Sequence, residues 1–131
     1  MECKPLFLLI EDNLIDQLVI KQLLKKFLDV AEVNITNNGL EAMQWLYNHE
    51  DLKQPLIILL DIQMPIMNGF EFLDAYDKLS AELKKEIQIY VLSSTLDPDE
   101  IKRINKNNYV SGFLNKPLPI EEFKKTIQLK V

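Results

Sequence analysis

Residues 56–69 read LIILLDIQMPIMNG. Five large aliphatic residues run into Asp61, and Pro65 and Gly69 close the stretch. A short, uninterrupted apolar run bounded by turn residues predicts a strand buried on both faces of a parallel sheet. A carboxylate at the end of such a strand is costly unless a partner compensates its charge. Asp61 therefore calls for a functional explanation as well as a structural one.

Working outward, LFLLI (6–10) and IQIYVL (87–92) have the same doubly apolar character. AEVNIT (31–36) alternates and carries Asn34, which predicts an edge strand, and GFLN (112–115) predicts a short fifth strand. Helical spacing fills the intervals at 13–28, 39–49, around 69–79, 97–106 and 120–129. Five strands alternating with five helices predict an α/β domain whose parallel sheet is covered on both faces. Asp97, Pro98 and Glu100 have the spacing of a capping box at a helix start. In the helix at 13–28, Ile20, Leu23, Leu24 and Phe27 share the face expected to pack on the sheet. Leu14, Ile15 and Leu18 fall outside that face. With no repeat or linker, residues 1–131 are expected to form one domain.

The chain has 131 residues, 47 % hydrophobic and 27 % charged, an ordinary globular balance. Its 20 acidic against 15 basic side chains argue against nucleic-acid binding by bulk charge. Cys3 is the only cysteine, so there is no internal disulfide or cysteine-based metal site, and the thiol is read as a bystander. The apolar run at 6–10 is too short for a signal peptide and is cut by Glu11 and Asp12. No stretch approaches the roughly 20 apolar residues of a membrane span. A cytoplasmic protein with no membrane or nucleic-acid partner is expected.

Ligands of open parallel sheets bind at the carboxyl ends of the strands. Those ends are Glu11-Asp12, Asp61, Ser93-Ser94-Thr95 and Lys116-Pro117. Taken alone, Glu11-Asp12 reads as a solvated acidic turn. Gathered with Asp61, the acids would repel one another and suit a hard cation such as Mg2+. Whether they meet depends on strand order, which the residues leave open. The turn after the first strand, EDNLID, carries neither glycine-rich phosphate-binding motif, so flavin and dinucleotide binding are not expected.

IEDN, LLDIQMPIMNG, VLSS and LNKPL, in this order at the strand ends, resemble the response-regulator receiver domain, of the single-domain chemotaxis-regulator type. The resemblance covers nearly the whole chain. It implies a flavodoxin-like, doubly wound (βα)5 fold and a phosphoacceptor regulator, catalysing only its own phosphotransfer and slow autodephosphorylation. Asp61 would be the phosphoacceptor. Asp12, Asp61 and the backbone carbonyl of Gln63 would hold Mg2+, with Glu11 acting mostly through water. Ser93 and Lys116 would bind phosphoryl oxygens. Pro65 would stiffen the loop after Asp61, and Gly69 would take the backbone angles of its exit. A cis peptide is implied before Pro117. The chain departs from the family's usual residues at Ser93 for threonine, Ser94 for alanine and Phe113 for the aromatic switch tyrosine. Phe113 reads equally as a swinging switch or as plain packing.

The implied partners are a sensor histidine kinase or histidine phosphotransfer protein, docking on Leu14, Ile15 and Leu18, and an unnamed downstream protein. A stand-alone module is expected because the chain stops after the fifth helix. Two alternatives remain. A haloacid-dehalogenase-like phosphatase also uses a strand-end aspartate, but needs a second aspartate where Gln63 stands. A degenerate receiver would act only as an interaction surface, against which stands the full set of Asp12, Asp61, Ser93 and Lys116. His49 reads as a helix-end contact, Met43 and Trp45 as core and groove filling, and Lys124, Lys125 and Lys130 as a solvated face.

Overall fold

All five apolar runs become strands of one parallel sheet. The computed structural model describes residues 4–130, with side chains as far as Ile127, so Cys3 lies outside the described residues. The strands are β1 (Leu6–Ile10), β2 (Asn34–Thr36), β3 (Leu56–Leu60), β4 (Ile87–Ser93) and β5 (Val110–Asn115). The helices are α1 (Leu14–Leu28), α2 (Gly39–Tyr47), α3 (Gly69–Tyr76), α4 (Ala81–Lys84), α5 (Pro98–Lys106) and α6 (Ile120–Lys130). Strand order is β2-β1-β3-β4-β5, the flavodoxin-like arrangement. It places β3 at the centre, which is why LIILL is buried throughout.

Side chains alternate across the pleat and divide the core in two. Leu8, Ile10, Ile58, Leu60, Ile89 and Val91 pack against α2, α3 and α5 through Leu46, Phe72 and Ile104. Phe7, Leu9, Ile57, Leu59, Tyr90 and Leu92 pack against α1 and α6 through Ile20, Leu24, Phe123 and Ile127. Covering both faces leaves the carboxyl edge of the sheet as the place where polar side chains converge.

The structure corrects several details. A sixth helix, the single turn α4, buries only Leu83 and is capped by Ser80, whose hydroxyl accepts the Leu83 N–H at 3.3 Å. One buried residue produces no helical periodicity, so the sequence pattern misses it. β2 keeps only three of the six residues read as strand, because α1 ends at Asp29 in a left-handed conformation (φ 56°) and the chain must first cross back. β5 starts two residues early: Ile89 pairs with Val110 and Tyr90 with Gly112, so Ser111 falls between successive partners. On α1 the buried line runs Gln17, Ile20, Leu24, while Phe27 is exposed. Gln17 rotates that line inward by donating to the Glu11 carbonyl (2.6 Å) and the Asn37 side chain (2.9 Å). Phe27 is left on the flank, beneath the Lys26 ammonium.

The capping box at α5 does not form. Asp97 accepts the Asp99 N–H, but Glu100 accepts the Thr95 hydroxyl at 2.6 Å instead of reaching back to the cap. The reciprocal pair is on α3, where Asn68 and Glu71 each accept the other's backbone N–H. His49 stacks on Trp45 and donates Nδ1–H to its carbonyl at 2.7 Å, closing the end of α2. Met43 is core, and Lys124 and Lys125 are exposed. The Lys130 side chain is outside the described residues.

Candidate functional site

The residues that follow β1 and β3 are still held by the ladder. The Glu11 N–H donates to the Thr36 carbonyl and the Asp61 N–H to the Ile10 carbonyl, each at 3.0 Å. The backbone carrying both acids is therefore as firmly placed as the strands themselves. Glu11 is 1 % and Asp61 8 % exposed, while Asp12 is at the surface. Oxygens of Glu11, Asp12 and Asp61 all lie within 4.8 Å of one another.

Lys116 enters from β5, where its backbone N–H donates to the Ser93 carbonyl at 3.0 Å. The Lys116–Pro117 peptide bond is cis. Its Nζ lies 2.6 Å from Glu11 Oε1, 2.9 Å from Asp16 Oδ2 and 3.7 Å from Asp61 Oδ1. Ser93 is buried at the end of β4, and its Oγ accepts the Thr95 N–H at 3.1 Å. Ser94 next to it is exposed. Phe113 is half-buried beside Val91, packed against the core on the α2–α3 side. Gln63 is exposed, with its carbonyl two residues beyond Asp61.

Gly69 serves a different purpose from the one expected. No glycine in the described residues has a positive φ. A Cβ on Gly69 would instead lie 2.7 Å from the Asp61 carbonyl oxygen and 2.8 Å from Ile62 Cα, so only glycine lets the start of α3 approach the acid's own backbone. The unusual angle is at Ile66, with φ 68°.

Burial dominates the electrostatics. It pushes Glu11 up to about 7 and raises Asp61 as well, against the pull of the Lys116 ammonium on both. Backbone N–H groups of Ile62 and Gln63 also favour ionised Asp61. Burial alone would lower Lys116, but hydrogen bonds to Glu11 and Asp16 and the charge of Asp61 hold it above its ordinary value. One ammonium thus pairs with three carboxylates, those of Glu11, Asp16 and Asp61, and Asp12 adds a fourth acid beside Glu11 and Asp61. All-oxygen donors with surplus negative charge fit a hard divalent cation.

Asp16 and Gln17 were not singled out from the sequence, yet both touch this site. An acid in the first turn of a helix ordinarily answers the helix dipole, and that signal hid its tertiary partner. Leu14, Ile15 and Leu18 are exposed on α1, immediately beyond Asp12, with Leu18 at 57 %.

Residues 7–128 match the family model of the response regulator receiver domain. The chain belongs to that family. This receiver is 31 % identical, over 90 % of its length and 79 % of the relative's, to the two-component response regulator ARR17 of Arabidopsis thaliana. It is 30 % identical to response regulator Rcp1 of Synechocystis, covering 92 % of this chain and 82 % of that one. A crystal structure of a response regulator receiver protein from Dyadobacter fermentans superposes with a TM-score of 0.88 at 28 % identity, covering 96 % and 97 % of the two chains. The Mn(2+)-bound form of Rcp1 superposes with a TM-score of 0.70 at 27 % identity, covering 97 % and 92 %. Membership replaces the haloacid-dehalogenase alternative. Among the described residues, no helix is long and apolar enough to cross a membrane.

Proposed function

We propose that this receiver, a single domain over residues 1–131, accepts a phosphoryl group on Asp61 from a phosphohistidine of a sensor kinase or phosphotransfer protein. An Asp61 carboxylate oxygen attacks phosphorus as the P–N bond breaks, and the imidazole leaves with the bonding electron pair and takes up a proton. The observation that carries this reading is the convergence on Asp61 of a buried, ladder-held carboxylate, two more acids within 4.8 Å and the Lys116 ammonium at 3.7 Å.

Transfer needs charge neutralised around the equatorial phosphoryl oxygens. Lys116 supplies a cation on the β5 side, and the Ser93 hydroxyl can turn from the Thr95 N–H to donate to a phosphoryl oxygen. Asp12, Asp61 and the Gln63 carbonyl would hold Mg2+, which when bound neutralises phosphoryl charge. The Mn2+ in related Rcp1 supports a divalent ion here. Glu11, held in place by Lys116 and the Asn13 N–H, would act on the ion mostly through water. Phe113 and Ser94 then sense the filled site, and the changed surface is read by a downstream protein in the cytoplasm.

With acetyl phosphate and Mg2+, Asp61 should become an acid-labile acyl phosphate, and Asp61→Asn should reduce incorporation by at least about a hundredfold. Equal labelling of the Asn variant would assign the nucleophile elsewhere. A degenerate receiver would take up no label at all.

A further inference from the structure

We propose that Asp16 is a positioning residue for Lys116, holding its ammonium back from Asp61 in the resting state and so slowing modification of Asp61. The inference deepens the phosphoacceptor reading above and rests on it.

Asp16 is the third residue of α1, where an acidic side chain commonly turns back to cap the helix's first N–H. That position is already filled. The Asn13 N–H donates to Glu11 Oε2 at 3.1 Å, and the Asn13 side chain accepts the Asp16 N–H at 2.9 Å. The Asp16 carboxylate is left without a local duty and crosses to Lys116, a hundred positions along the chain, at 2.9 Å. Glu11 grips the same ammonium at 2.6 Å. Both contacts are charge-assisted hydrogen bonds, whereas the 3.7 Å to Asp61 exceeds hydrogen-bond range.

An ammonium has three donors, and two are committed away from the acceptor. The third is free for an incoming phosphoryl oxygen, but bringing Nζ forward from its 3.7 Å stand-off lengthens the bond to Glu11 or the bond to Asp16. Glu11 is 1 % exposed, so water cannot replace the lysine there, whereas Asp16 is 39 % exposed and water can replace its partner. Asp16 is accordingly the bond that yields, and its strength sets how readily the lysine comes forward.

Asp16→Asn keeps the shape and removes the charge. It should raise the initial rate of Asp61 labelling about two- to fivefold, the range of a partly exposed ion pair. Asp16→Glu should keep the slow rate. Labelling is measured with acetyl phosphate and with phosphoramidate at saturating Mg2+, because the two donors differ in negative charge. An equal gain with both donors is the expected result. A gain that grows with donor charge would mean Asp16 merely repels the donor, and that outcome overturns the positioning role. An unchanged or slower Asp16→Asn, with the wild-type chain labelling normally, overturns it as well. Absence of labelling in the wild-type chain overturns the phosphoacceptor reading and this inference together.

Discussion

At Ile66 the backbone takes a left-handed conformation (φ 68°) that a β-branched residue rarely adopts, and the Met67 N–H closes a tight turn onto the Pro65 carbonyl at 2.7 Å. Such angles cost roughly 1–2 kcal/mol. The side chain recovers none of this in the core, being 76 % exposed. Ile66→Asn should raise stability by about 1 kcal/mol, read as a higher urea midpoint at unchanged slope. A lower midpoint would show that the side chain has a packing role. Gly69→Ala should do the opposite, destabilising by about 1–3 kcal/mol and slowing Asp61 labelling, since its Cβ would press on the Asp61 carbonyl. Undisturbed labelling would show that the loop can give. At this scale the meeting of Glu11, Asp12, Asp61 and Lys116 could be anticipated because acids and a lysine at strand ends are costly without one another. Asp16 and Gln17 were not, because their partners lie far along the chain or on another loop.

Among the elements, α1 carries opposite loads on its two sides. Ile20 and Leu24 are sunk against the sheet while Leu14, Ile15 and Leu18 face solvent beside Asp12. Exposed apolar side chains grouped beside the acidic cluster suit a docking partner. Leu18→Lys should slow transfer from a phosphohistidine donor about tenfold or more, leaving acetyl phosphate labelling intact. Loss with both donors would instead assign Leu18 to the fold. The strands of the central sheet were readable because burial on both faces leaves a continuous apolar run. α4 and the true length of β2 were not, since one turn with one buried leucine and a three-residue edge carry too few residues to show a period. The α5 cap misled for a different reason: the Thr95 hydroxyl is a nearer partner for Glu100 than the cap backbone.

For the whole molecule, the acidic cluster couples folding to pH. Glu11 binds its proton up to about 7 in the native state, against the ordinary 4.5 of an exposed glutamate, so the folded chain holds more protons than the unfolded one across that interval. Stability from this group is full below about pH 4.5 and is lost as pH rises through about 7. Asp61, also raised, adds in the same direction. Urea melts in EDTA should therefore weaken by on the order of 2 kcal/mol between about pH 5 and about pH 7.5, and Mg2+ should flatten or reverse the slope by binding the ionised acids. A metal-free stability that is flat over this range would refute the coupling. A last consequence follows from the shortness of β2. Every open sheet has borders where another chain could add a strand, and a long flat border invites cross-β growth. On the β2 side only three residues run as strand, and the Asn34 amide folds inward onto the Phe7 carbonyl at 3.2 Å. With a net charge of −5 adding mutual repulsion, this border gives a neighbouring molecule little to zip onto, so crowding should leave the chains dispersed instead of joined edge to edge along β2.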